Sequence, residues 1–355
     1  MQREFPRVGT LPAGPLDAIT DVPGVRVGHC TLDDGAIQTG VTVIMPNEDP
    51  FLRRPLAASA VFNGFGKSAG LMQLAELGCI ETPIALTNTL SVGTLLTAQI
   101  RKSLAGHPEI GRDWPTVNAL VLECNDGYLN DIQALAVTEE HYEKALSAAD
   151  RIFAQGSVGA GRGMSCFQMK GGIGSASRLA SCDGRTYTVG ALVLSNFGKM
   201  EHCLLQGRAV GKRLLERLEQ MQAASEAAAP EKGSIIMILA TDAPLDVAQL
   251  GRLVRRAGNG LARTGSIYGH GSGDVAVCFS AAQHLPWPEA SEPIPLLRVP
   301  DKWMDSLFQA AAEATEQAIF KALFLAEPVS GRDGHIRHTI RELLPEWRDI
   351  IQENW

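Results

Sequence analysis

A basic stripe with interleaved aromatic residues is missing from this 355-residue sequence, whose formal net charge is -7 and whose pI is near 5.7. Nucleic-acid binding needs a concentrated positive face, so that class of partner is excluded. The densest basic cluster, Arg252, Arg255 and Arg256, accompanies an apolar stripe of Leu250, Leu253, Val254 and Leu261 and reads as a solvated helix face. Cysteine pairing is lacking too. Seven cysteines, an odd number with no Cys-x-x-Cys spacing, suit reduced thiols in a cytosol. No apolar run approaches the roughly 18 residues of a membrane span, and residues 1–7 carry charges and a proline where a secretion signal needs an apolar centre. A soluble cytoplasmic protein is therefore expected. The Gly-x-x-x-x-Gly-Lys-Ser/Thr order of a phosphate loop does not occur, so the glycine runs 156–163 and 170–174 are expected to form tight turns near a cleft. The eight histidines are dispersed, and His335 with His338 has no nearby cysteine or acidic partner in a ligand spacing, so neither a metal nor a cofactor is expected.

What is present is an ordinary globular composition, 45% hydrophobic and 20% charged, with an unusual supply of 36 glycines. The length fits one large α/β unit or two lobes. Short apolar, β-branched runs predict strands at 25–30, 39–45, 83–86, 119–123, 187–194, 234–240 and 274–280. Helical periodicity appears at 69–77, 92–104, 138–153, 207–224, 246–262, 301–325 and 339–349. Strands and helices interleave, so the class is mixed α/β.

The most chemically suggestive step is Gly233-Ser234, which follows the soft Ala/Glu/Pro segment 223–230 and opens the apolar run 235–240. Glycine leaves its carbonyl open to a neighbouring hydroxyl, and a cut there would give Ser234 both a hydroxyl and a free α-amine, the chemistry of an N-terminal nucleophile. The alternative is a loop meeting a strand.

Downstream, Gly269-His270-Gly271-Ser272-Gly273-Asp274 offers a serine and a carboxylate; if strands 234–240 and 274–280 are neighbours, alternation would project Ser272 and Asp274 to the same side, beside Ser234. A turn whose amides they satisfy is the other reading. His270, flanked by glycines, reads as an exposed loop residue. Asn196 ends a predicted strand, where its amide would either stabilise an oxyanion or close an Asx turn.

Together these segments resemble the DmpA-like family of aminopeptidases, the L-aminopeptidase/D-esterases that include β-peptidyl aminopeptidases. The matching positions are 18–29, 86–89, 123–131, 156–178, Asn196 and 233–274, in order along the chain. The resemblance implies a four-layer α/β/β/α sandwich of the DmpA/ornithine acetyltransferase type. It implies one peptidase domain that self-cleaves between Gly233 and Ser234 into an α-subunit of residues 1–233 and a β-subunit of residues 234–355, the cleaved units then associating into a homo-oligomer. It further implies Ser234 as nucleophile, Asn196 as oxyanion donor and Ser272 with Asp274 as an assisting pair. Glu123 would hold the substrate's ammonium, with Asn125 and Asn88 completing the substrate-binding positions. The activity implied is release of small N-terminal residues from peptides, amides or esters through an acyl-enzyme. The alternatives are β-peptidyl specificity or an acyltransferase like ornithine acetyltransferase, whose relatives use threonine as nucleophile. Two departures are visible. Some relatives carry glutamate in place of Asp274, and some carry a bulky aromatic where this chain has Asn125, for which Tyr128 is the candidate substitute.

Overall fold

The computed structural model describes residues 4–221 and 233–352. In chain order its main elements are β1 (Arg26–Asp34), β2 (Ile37–Met45), β3 (Arg53–Gly64), α1 (Leu71–Leu77), β4 (Ile84–Asn88), α2 (Val92–Gly106), β5 (Leu120–Cys124) and α3 (Glu139–Ser147). There follow β6 (Gly172–Cys182), β7 (Arg185–Asn196), α4 (Gly211–Met221), β8 (Ser234–Thr241), α5 (Val247–Val254), α6 (Ala257–Arg263), β9 (Gly273–Pro286) and α7 (Met304–Phe324). One sheet has the order β1-β2-β4-β5 and the other the order β3-β9-β8-β7-β6.

Strand alternation sorts the apolar residues into three packed layers of side chains. Ile236, Ile238 and Ala240 of β8 face Ile44, Leu86 and Leu122 of the smaller sheet, so the two sheets stack face to face. Ile235, Met237 and Leu239 point the other way, onto Leu250, Leu261 and Ile319 from α5, α6 and α7. On the far side of the smaller sheet, Val41, Val43 and Val121 pack under Leu95 of α2 and Tyr142 of α3. The result is helix, sheet, sheet, helix. Because β8 is covered on both faces, it reads in sequence as an unbroken apolar run without alternation.

The structure corrects several sequence expectations. Within the run 170–174, expected to form turns, Gly172–Gly174 instead open β6, and Gly174 reflects how closely α7 lies on the sheet: a Cβ there would sit 1.9 Å from the Ala318 carbonyl oxygen. β3 was not anticipated, since its run is interrupted by Pro55 and alanines. The single helix expected over 246–262 divides into α5 and α6 near Arg255 and Arg256. The helix expected at 138–153 ends at Ser147. The helix expected at 339–349 splits into Ile340–Leu343 and Trp347–Gln352, with Pro345 between them unable to continue the first. The end of the helix expected over 207–224, and the segment 223–230, lie outside the described residues.

Candidate active site

Ser234 is the first residue of β8, the central strand of the larger sheet. It pairs with Asn196, the last residue of β7, on one side and with Gly273, the first residue of β9, on the other. Three strand ends thus converge at one edge. β4 and β5 of the facing sheet end at the same level in Asn88 and Cys124 and bring Glu123 across the gap.

Ser234 Oγ donates to the Gly233 carbonyl oxygen at 2.7 Å and accepts from the Gly273 N–H at 3.2 Å. The hydroxyl therefore lies against the peptide bond that precedes it. Gly233 is required for a reason other than a left-handed backbone: a Cβ there would stand 2.8 Å from the Asn196 carbonyl oxygen and 2.8 Å from Phe197 Cα. Gly233 itself is pressed against the end of β7, which holds its carbonyl beside the hydroxyl.

Asn196 Nδ2 donates to the Asn125 carbonyl at 2.9 Å, while its Oδ1 accepts from the Ser165 N–H at 2.8 Å. The acceptor end of the amide is anchored, which aims the donor end. The Ser165 loop is itself held by the buried Lys170, whose ammonium donates to the carbonyls of Gly161, Met164 and Gly171 at 2.9, 2.8 and 2.7 Å. Burial pushes the Lys170 pKa well down, yet three carbonyl acceptors match the three protons of the charged form.

Glu123 is 3% exposed. Its Oε1 accepts from the Lys67 N–H at 2.7 Å, and its Oε2 accepts from the Thr89 hydroxyl. These donors fix the carboxylate without neutralising it. Glu123, Asn125, Gly233 and Ser234 line a cavity of about 570 Å³ whose rim carries Phe65, Ile267 and His270. A cationic group at Glu123 and a carbonyl at Ser234 fit the same cavity.

Ser272 Oγ donates to Asp274 Oδ1 at 2.6 Å, so the predicted pair forms. Its position differs from the expectation. By alternation Asp274 shares the helix-facing side of β9 with Ala276 and Cys278, whereas Ser234 shares the sheet-facing side of β8 with Ile236 and Ile238. The backbone of Gly273, whose N–H reaches Ser234 Oγ, joins the pair to the serine. Asn88 is likewise elsewhere. It is buried, its Oδ1 accepts from the N–H groups of Leu90 and Ser91, and its amide donates to Thr39, so it caps a turn; its neighbour Thr89 lines the cavity instead. Tyr128 faces a second cavity rather than the first.

A model of peptidase family S58 matches residues 17–337. The chain belongs to peptidase family S58. As an S58 peptidase it is a hydrolase acting on peptide bonds, and the resemblance read from its motifs is borne out. It is 36% identical to the β-peptidyl aminopeptidase BapA of Sphingosinicella microcystinivorans over 95% of this chain and 90% of that protein. Its structure superposes on the PH0078 protein of Pyrococcus horikoshii with a TM-score of 0.90 at 46% identity, covering 98% of this chain and 96% of that one. It also superposes on the L-aminopeptidase D-Ala-esterase/amidase of Ochrobactrum anthropi, described as a prototype of the serine aminopeptidases and a variant of the Ntn-hydrolase fold. That match has a TM-score of 0.87 at 32% identity and covers 97% of both chains. The mixed α/β architecture of this S58 peptidase is thus of the Ntn-hydrolase type.

Sequence reasoning missed Lys67, Thr89, Ser165 and Lys170. Thr89 and Ser165 lie within the matching segments, but Lys67 contributes only a backbone N–H and carries no side-chain signal. Among the described residues there is no group of three or more His, Cys, Asp or Glu side chains placed to hold a metal, and no helix long and apolar enough to cross a membrane.

Proposed function

We propose that this chain is a self-processing serine aminopeptidase whose nucleophile is Ser234. The observation that carries the reading is the 2.7 Å contact between Ser234 Oγ and the carbonyl of Gly233, at the mouth of a cavity that also holds the buried carboxylate of Glu123. In maturation Oγ adds to the Gly233 carbonyl carbon, the C–N bond to Ser234 breaks and its nitrogen takes a proton. Water then hydrolyses the resulting ester, leaving a Gly233 carboxylate and an α-amine on Ser234. The chain divides into residues 1–233 and 234–355, which remain one packed unit because β8 is hydrogen-bonded between β7 and β9.

In turnover the same hydroxyl attacks the carbonyl of a substrate whose N-terminal ammonium rests on Glu123. The freed α-amine of Ser234 takes the hydroxyl proton, and the Ser272–Asp274 pair supports the Gly273 backbone that contacts Oγ. Asn196 Nδ2 donates to the developing oxyanion, a contribution of about 3 to 4 kcal/mol where such donors act. The acyl-enzyme is released by water. The β-peptidyl activity named for the Sphingosinicella relative is the specificity to assay first, alongside α-amino substrates. Association of the cleaved units into a homo-oligomer and a cytoplasmic location are part of the same proposal.

The test is substitution of Ser234 by alanine. Uncleaved chain and loss of alanyl-p-nitroanilide hydrolysis by at least about a thousandfold are expected, the scale on which removal of an activated nucleophile is felt. Retained hydrolysis in the variant would rule Ser234 out. Acetyl transfer to ornithine exceeding hydrolysis would turn the assignment toward an acyltransferase.

A further inference from the structure

Asp126 does not line the cavity at Ser234, although Glu123 and Asn125 just before it in the chain do. It is 1% exposed, and no step of the proposed reaction uses its carboxyl. That carboxyl stands where three segments meet. Asn130 Nδ2 donates to Oδ1 at 3.0 Å, and Asn130 Oδ1 accepts from the Gln38 N–H at 3.0 Å, tying the turn after β5 to β2. The Asp126 carbonyl accepts from the N–H groups of Leu129 and Asn130 and closes the same turn. The Thr39 hydroxyl of β2 hydrogen-bonds to the carboxyl, and its oxygen accepts from Asn88 Nδ2 at 2.9 Å. Gly163, of the loop that carries Ser165, packs against Asp126: a Cβ there would stand 2.8 Å from Asp126 Cβ.

Two paths lead from this carboxyl to the reacting groups. On one, Asn88 Oδ1 accepts from the Leu90 and Ser91 N–H groups at 3.1 Å each, fixing the turn whose Thr89 hydroxyl holds Glu123 Oε2. On the other, the peptide joining Asn125 to Asp126 presents the carbonyl to which Asn196 Nδ2 donates at 2.9 Å. The first path ends at the ammonium site and the second at the oxyanion donor. Burial raises the Asp126 pKa to about 7 against the Thr39 and Asn130 hydrogen bonds, and Glu123 adds to the rise. Lys170 faces it from the adjoining loop, its three protons already taken by carbonyls. Below neutrality Asp126 is therefore a neutral hydrogen-bonding group, which an amide can imitate.

We infer that Asp126 is a positioning residue for the reaction, holding the ammonium site at Glu123 and the oxyanion donor at Asn196 in one frame through these two paths. The inference rests on the proposed roles of Ser234, Glu123 and Asn196. A substrate gripped at its amino end and at its scissile carbonyl reacts fastest when the spacing of the two grips is fixed, so an error there reaches both binding and chemistry.

The experiment measures kcat and KM for alanyl-p-nitroanilide at about pH 6, where the wild-type carboxyl is protonated, in the cleaved wild type, Asp126→Ala, Asp126→Asn and Thr39→Val. Urea denaturation checks that each variant is folded. Asp126→Ala cuts both paths; a fall in kcat of about tenfold and a rise in KM of about tenfold are expected, the scale of buried groups left without a partner. Asp126→Asn should restore most of both. Thr39→Val interrupts only the path to Glu123, so KM should rise while kcat stays close to the wild-type value. Wild-type kcat and KM in folded Asp126→Ala, an Asp126→Asn enzyme as impaired as Asp126→Ala, or an unchanged KM in Thr39→Val overturns the inference. Where Asp126→Ala fails to fold or to mature, the other two variants decide: an impaired Asp126→Asn or an unaltered Thr39→Val overturns it. Hydrolysis retained in Ser234→Ala would instead refute the nucleophile, whatever the Asp126 variants do.

Discussion

At the residue scale, Glu123 is the group whose role is most sharply testable. Its carboxylate is buried and held by the Lys67 N–H and the Thr89 hydroxyl, geometry that Glu123→Gln would largely preserve while removing the charge. The expected result is a rise in KM for alanyl-p-nitroanilide of about ten- to a hundredfold, the cost of removing one partner of a desolvated charged pair. Equal loss on an ester lacking the amino group would contradict an ammonium site. His29, from the matching segment 18–29, gives a pH prediction. Its ring lies between the Thr42 hydroxyl and the Ala154 carbonyl, and burial lowers its pKa to about 4. Below its ordinary value near 6.5 the unfolded chain takes up a proton that the folded chain refuses, so this group's stabilising effect is lost as pH falls from 6.5 towards 4. Asp126, raised to about 7 by burial, acts oppositely, its folded form keeping a proton that the unfolded chain releases above pH 4. The check is therefore a difference: urea denaturation of His29→Gln should lose less stability than wild type between pH 6.5 and 4. The gap should be roughly 2 kcal/mol, less than the full shift because the ring is partly exposed.

At the element scale, the segment from Gly161 to Gly171 links fold to chemistry. Lys170 ties its carbonyls together, and Ser165 within it orients Asn196. Replacing Lys170 by methionine should cost roughly 3 kcal/mol or more by leaving three buried carbonyls without a donor. It should also slow cleavage at Gly233 by loosening Asn196. Chemical denaturation and the time course of cleavage measure the two effects, and an unchanged cleavage rate in a destabilised variant would separate Lys170 from Asn196. The strands that carry the site were legible because each is a short apolar run ending in turn formers: β5 at Cys124, β7 at Asn196 and β8 beginning at Ser234. β3 and β6 were not. Pro55 and the glycines of β6 carry the signature of loops, and only the helix lying on β6 explains why no side chain fits there.

At the scale of the whole molecule, the periodicity of strands and helices exposes the class, whereas the four layers came only with the family resemblance, because which face of β8 meets helices and which meets a second sheet depends on contacts between residues far apart in the chain. The convergence of Ser234, Asn196 and Glu123 was readable only through the order of the matching segments. The placing of Asp274 on the opposite face from Ser234 was not, since it turns on which residue of β9 stands beside the serine. The central claim is that the chain cuts itself at Gly233. Intact-mass measurement of purified wild-type protein under denaturing conditions, with N-terminal sequencing, addresses it directly. The account predicts two polypeptides, residues 1–233 and a second beginning at Ser234, and a single chain for Ser234→Ala. A single uncut 355-residue polypeptide from the wild type after prolonged incubation would contradict it.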